Sequence, residues 1–175
     1  FNFSNSNDVT YSGDLNLLSV LKGLDKRGLT ADFFVKPTKF IINDTTWNMH
    51  QSVVRLTPER LVVSDFLFDH GDQMLKIDGV SSRVGGDSIG VYLRDLQLSY
   101  ISNIVNAGKF SFAGLGNGDV YVYNIFSKPY FRSNLQIDST ALNGYPIGDL
   151  QVASMLDNRD NSILFGGNLV SNLSK

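Results

Sequence analysis

The sequence predicts an all-β fold: an elongated, mostly antiparallel, curled sheet with one short helix near residues 99–106. Three observations predict it. Apolar residues alternate with other residues in short runs, the period of a strand. The runs are separated by Gly, Asn, Asp and Ser clusters with turn chemistry. One segment alone carries apolar residues at three- and four-residue spacing.

Residues 1–8 are polar and are expected to fray. Strands follow at 14–20, 29–35, 39–42, 45–49 and 52–56, where the alternation is present but less regular. Over 60–70 strict alternation sets Val62, Phe66 and Phe68 against Leu61, Val63 and Leu67. Both faces are apolar, so this strand is expected to be covered on both sides. Gly71-Asp72 reads as a hairpin loop into 73–79, with Leu75 and Ile77 opposite Met74, Lys76 and Asp78. Residues 88–94 place Ile89, Val91 and Leu93 together.

Leu93, Leu96, Tyr100, Ile101, Ile104 and Val105 carry the helical spacing. They predict a helix over 99–106, capped by Ser99 and followed by Gly108, as a connector whose apolar side plugs one end of the sheet. Residues 109–115 place Phe110 and Phe112 together. Asn117-Gly118 then predicts a type I′ turn into 119–125, where Val120 and Val122 oppose Tyr121 and Tyr123. Over 131–137, Phe131, Ser133, Leu135 and Ile137 alternate with Arg132, Asn134 and Gln136. Asn143-Gly144 is a second turn signal, and strands at 150–156 and 163–170 end the pattern. Leu75-x-Ile77-x-Gly79 and Phe110-x-Phe112-x-Gly114 share a pattern, at intervals too irregular for a solenoid period. About ten to twelve strands are expected.

At 175 residues this is one domain or a slice of a longer repetitive β-domain, and an excised piece of a larger chain is the simplest expectation. The net charge of −2 and scattered basic residues give no electrostatic footprint for nucleic acid or anionic lipid. With no cysteine, a disulfide framework, a thiolate metal site and a Cys nucleophile are excluded. No apolar run approaches the ~18 residues of a membrane-spanning helix, and no leader peptide is read in the sequence.

Reactive constellations are weak. His50 and His70 have no second His or Cys at metal-ligand spacing. His70 with Asp69 and Asp72 reads as a solvated turn, and no G-x-S-x-G elbow is present. The run Asp157-Asn158-Arg159-Asp160-Asn161 lacks the Gly and Glu of a calcium loop and reads as an exposed hairpin loop. Gly114-Leu115-Gly116-Asn117-Gly118 precedes a strand rather than a helix, so it reads as a hairpin turn and not a phosphate cradle. Trp47 reads as a core or sheet-edge residue, with a sugar-stacking platform as the alternative. No catalytic residue, metal or cofactor is expected.

What remains is an excess of apolar strand residues. Leu75, Ile77, Val91, Leu93, Phe110, Phe112, Val120, Val122, Leu135, Ile137, Leu150 and Val152 are the candidates for one inner apolar face. Alternation alone fits both a closed sandwich core and an open groove. In a groove each buried CH₂ of an acyl chain is worth ~0.8 kcal/mol, so a chain of about 16 carbons gains on the order of 10 kcal/mol before ordering costs.

Several runs carry a family resemblance. They are Trp47-Asn48-Met49, Arg60-Leu61-Val62-Val63-Ser64-Asp65-Phe66-Leu67-Phe68 and Gln73-Met74-Leu75-Lys76-Ile77-Asp78-Gly79-Val80-Ser81-Ser82. Phe112-Ala113-Gly114-Leu115-Gly116-Asn117-Gly118-Asp119-Val120-Tyr121-Val122 follows, with Lys128-Pro129-Tyr130-Phe131 and the run from Leu142 to Ser154. In order and spacing, over roughly residues 40–170, they resemble the C-terminal part of TamB-family (AsmA-like) proteins of the translocation and assembly module. The resemblance implies a folded-over β-sheet, the β-taco, with an apolar inner face and no catalytic residues. It implies a periplasmic segment of an inner-membrane-anchored protein that meets an Omp85-type outer-membrane partner. Lipid acyl chains or nascent outer-membrane β-strands would be its cargo. The rival expectation is a surface or carbohydrate-binding β-sandwich with Trp47, or the Tyr121/Tyr123 face, as its platform. A hydrolase is a more distant third.

Overall fold

The computed structural model describes residues 2–6, 10–23, 28–42, 44–84, 86–99, 111–157 and 162–170. They form fourteen strands in one antiparallel sheet: β1 (Asn2–Ser6), β2 (Thr10–Asp14), β3 (Leu17–Lys22), β4 (Thr30–Val35), β5 (Thr38–Ile42), β6 (Thr45–Met49), β7 (Ser52–Leu56), β8 (Arg60–His70), β9 (Gln73–Ser82), β10 (Ser88–Gln97), β11 (Phe112–Tyr123), β12 (Tyr130–Leu142), β13 (Tyr145–Asp157) and β14 (Ser162–Val170). The all-β, antiparallel reading therefore holds, with more strands than the alternation suggests. Among the described residues no second sheet packs on the first, and β1, β3 and β14 each pair with one neighbour and form its open edges.

From β8 to β14 the strands follow one another as a meander. The N-terminal part is the same meander with broken strands. β6 and β7 both pair with the same edge of β8, and Asn48↔Asp69 and Val53↔Ser64 share one register. The His50 amide continues that ladder by donating to the Leu67 carbonyl (2.9 Å). β5 and β4 pair in one register with β6 and β7 in turn. They are separated at Lys36-Pro37, where proline has no N–H to give a ladder. The strand predicted at 14–20 is likewise divided between β2 and β3 at Leu15-Asn16.

Beyond β7 the same interruption becomes a series of bulges. Asp65 in β8, Asp95 in β10 and Ser139 in β12 take left-handed φ values of 56°, 46° and 52°. Asp is among the few residues that tolerate this conformation. Each frees one backbone N–H from the ladder, and a side chain on the next strand accepts it. Asp78 Oδ1 accepts from Asp65 at 3.0 Å, Asn117 Oδ1 from Asp95 at 2.9 Å and Asp149 Oδ1 from Ser139 at 2.9 Å. Facing the bulges are strand glycines with large positive φ: Gly79, Gly118 and Gly114 at 134°, 125° and 140°. The Leu75-x-Ile77-x-Gly79 and Phe112-x-Gly114 recurrence thus marks bulge sites. Bulges bend and twist a strand, which curls the sheet.

Several expectations are corrected. Residues 2–6 are not frayed but form β1, paired with β2. Asn117-Gly118 and the wider Gly114–Gly118 run are not a hairpin: they lie inside β11, where Asn117 pairs with Gln136 and Gly118 with Leu135. A Cβ on Gly118 would sit 2.0 Å from the Asn134 carbonyl oxygen, so the glycine serves close backbone approach. The bulge at Asp65 shifts the parity of β8, so Leu61, Val63, Phe66 and Phe68 share one face while Val62 and Leu67 take the other. The three-residue step from Leu93 to Leu96 is likewise the Asp95 bulge. Residues 100–106 of the predicted helix lie outside the described residues, as do Phe110 and the loop at 158–161. Asn143-Gly144 is the predicted turn, with both residues at positive φ.

Candidate functional site: one apolar face of an open sheet

Residues directly opposite in an antiparallel pair share a face. The register therefore assigns the candidate residues without reference to chemistry. Leu75 pairs with Leu93, and Ile77 with Val91. Val91 pairs with Val120, and Ile89 with Val122. Gly118 pairs with Leu135 and Gly116 with Ile137; Leu135 pairs with Val152 and Ile137 with Leu150. Leu75, Ile77, Val91, Leu93, Val120, Val122, Leu135, Ile137, Leu150 and Val152 thus lie on one face. Phe112, alternating with Gly114 and Gly116, joins them.

The same face extends where the alternation was less regular. Phe40, Ile42, Trp47, Met49, Phe66 and Phe68 belong to it through the β5–β6–β8–β9 register. Phe40, Ile42, Trp47 and Leu96 form a buried cluster, with Leu15, Met49, Phe68, Leu75 and Leu93 packed against it. Trp47 is fully buried, stacked on Phe68 with ring centroids 5.0 Å apart, and Phe40 meets Phe68 edge-on at 5.8 Å. Trp47 is thus core and not a stacking platform. Leu96 lies on β10, with β8 and β9 between it and Trp47 on β6, so the sheet curls toward this face.

Toward β14 the face opens. Ile137 is buried, Leu135, Leu150 and Val152 are half-buried, and Phe165 and Leu169 are 65% and 51% exposed. Polar groups on the face are few and small. Ser133 and Ser154 hydroxyls bond to each other at 2.8 Å, and Thr140 Oγ1 donates to the Ile137 carbonyl. The other face carries the charge: Lys76, Asp78, Arg94, Asp119 and Arg132 alternate out from the apolar positions. On it the half-exposed Arg55 guanidinium bonds Asp32 at 2.6 Å. That bond and the Asp32 charge push the Arg55 pKa above its ordinary value.

The two histidines lie on opposite faces, His50 with the polar residues and His70 at the rim of the apolar face. His50 is bonded to the Asp69 carboxylate, which also accepts from Asn48 Nδ2 at 3.2 Å. His70 is not in a solvated turn: it closes β8, half-buried, with its ring 5.7 Å from Trp47 and Nδ1 against the Thr46 carbonyl. Among the described residues no cluster of three His, Asp or Glu is placed to hold a metal ion. Family models, curated proteins and solved structures give no match for this chain.

Proposed function

We propose that this chain is a non-catalytic, lipid-handling segment whose apolar sheet face takes acyl chains, as in the TamB-like proteins that its motifs resemble. The observation that supports the reading most is the face itself. Eleven of the twelve candidate residues fall on one side of a single sheet, and among the described residues no second layer covers that side. Burial of apolar surface at ~25 cal/mol per Å² makes such a face seek an apolar occupant. The outer, polar face stays in water while the acyl chain lies along the inner one.

In this reading the segment stands in the periplasm as part of an envelope-spanning, inner-membrane-anchored protein. It supports phospholipid movement, outer-membrane protein assembly, or both, and meets its Omp85-type partner through other parts of the full-length chain. No cofactor and no nucleic acid take part. The β-sandwich rival fits less well, because the described residues form one sheet and Trp47 is buried.

Photo-crosslinking separates the faces. A photoreactive residue at Leu135 or Val152 should give phospholipid adducts by mass spectrometry, and one at the neighbouring Gln136 or Gln151 should not. Absence of lipid adducts from all four sites, or equal yields from both faces, removes the conduit role.

A further inference from the structure

The face turned away from the apolar groove carries a second built depression, of about 620 Å³. That volume is in the range of ~300–1,000 Å³ common for small-ligand sites. Its shape follows from the register. Asn134 of β12 is opposite Ala153 of β13, and Ala153 is opposite Gly166 of β14, so the floor between the strands lacks large side chains. Met155 and Leu164, paired one row away, form one wall. Tyr121 and Tyr123 of β11 form the other.

The tyrosines are held in place. Tyr92 lies over Gly90, where an added Cβ would fall 2.6 Å from the phenol oxygen. Covering a strand glycine with an aromatic ring stabilises both. Tyr92 then meets Tyr121 edge-to-face at 5.9 Å, and Tyr123 stacks on Tyr130 at 4.8 Å and 7°. Such rings lose little entropy on binding, because packing has already fixed them.

Polar groups line the same rows. Arg132 is opposite Tyr121, and Asp119 is opposite Asn134. Among the described residues no side-chain hydrogen bond or ion pair engages Asp119, Arg132 or Asn134. A guanidinium, a carboxylate and an amide thus stand ready as donors and acceptors beside aromatic faces. The two charges offset each other, so the site has no excess of cations for a phosphate or a nucleic acid.

We propose that this outer-face depression binds a neutral saccharide, its C–H face against Tyr121 and Tyr123 and its hydroxyls on Asp119, Arg132 and Asn134. The proposal goes beyond the lipid reading and does not rest on it, since the two sites lie on opposite faces.

Saturation-transfer NMR of the 175-residue chain with maltotriose and cellotriose tests it. A parallel arm measures retention on phosphatidylcholine vesicles with and without a galactosyl lipid, which separates a free glycan from a glycolipid headgroup. Sugar-dependent binding in either arm is expected, weakened at least tenfold by Tyr121→Ala and several-fold by Asn134→Ala. Asn134 is exposed, so its variant keeps the fold and decides the matter if Tyr121→Ala does not. No saccharide-dependent signal in either arm at millimolar sugar overturns the proposal. So does binding that Asn134→Ala leaves unchanged. Leu135→Lys, on the apolar face, is expected to leave sugar binding intact whatever it does to lipid.

Discussion

Strands β5–β10 and strands β11–β14 carry the same apolar face but finish it differently. In the first region Trp47, Phe68 and Phe40 interlock, and Leu96 closes over them from β10. In the second region three glycines, Gly114, Gly116 and Gly118, occupy the face on β11, and most side chains are half-buried or exposed, including Phe131 and Phe165, whose rings meet at 5.8 Å. One region is a core made by curling the sheet; the other, among the described residues, is a face with no second layer over it. A single sheet can thus supply both a stable anchor and a binding surface; what separates them is whether the rings interlock and are buried, as around Trp47, or stay open to water, as at Phe165.

Truncation should expose the contrast most strongly. Trp47→Ala removes the fully buried centre of the anchor and is expected to cost about 3–5 kcal/mol. Leu150→Ala, half-buried in the open region, should cost only about 1–2 kcal/mol, since much of its surface is already wet. Urea unfolding of the two variants measures both. Equal losses would mean that the open region is as closed as the anchor, and the comparison would fail.

Backbone approach gives the next effect. Gly118→Ala forces a Cβ to 2.0 Å from the Asn134 carbonyl at φ +125°, and is expected to cost more than about 2 kcal/mol. Gly144→Ala also sits at positive φ but meets nothing within 4 Å. It should cost about 1 kcal/mol. A similar loss at both sites would show that β11 does not need its close contact with β12.

These two glycines also show what alternation can and cannot reveal. Asn117-Gly118 and Asn143-Gly144 are the same dipeptide, yet one lies inside a strand and the other is a turn. In the turn both residues adopt positive φ. In β11 the asparagine stays extended and spends its side chain on the Asp95 bulge. Nothing local distinguishes them, because the Asp95 partner comes from 22 residues away. The parity of β8 was hidden for the same reason: whether Asp65 sits left-handed depends on Asp78 across the pair. Away from bulges, alternation is enough. Leu135, Ile137, Leu150 and Val152 share a face by simple period two, and the register agrees. The outer depression was legible only as a row of tyrosines, since its floor depends on Ala153 meeting Gly166.

The bulges that divide the sheet give a smaller effect. Asn117→Ala leaves the half-buried Asp95 amide without its acceptor and should cost about 1–2 kcal/mol. Hydrogen exchange should quicken at the Asp95 amide while the Asp65 amide, accepted by Asp78, keeps its protection. Loss of protection at both bulges together would make them one cooperative crease across anchor and open region instead of separate devices.

The smallest effect is a titration on the outer face at the junction of the two regions. The hydrogen bond with Tyr92 and the electrostatic coupling to it, with burial and the Asp119 charge as lesser causes, push the Tyr121 pKa above the ordinary tyrosine value. A raised pKa favours the neutral phenol in the folded state. As pH rises past the ordinary tyrosine range, the unfolded chain loses this proton first, so the contribution to stability is whole below that range. It declines as pH climbs toward the folded-state value. Phenolate absorbance should therefore show Tyr121 ionising late, and Tyr92→Phe should bring it back toward the ordinary tyrosine value by removing the hydroxyl partner. If Tyr92→Phe leaves the late tyrosine unmoved, the contact between β10 and β11 on the outer face is not what holds Tyr121, and the wall of the depression is looser than its geometry implies.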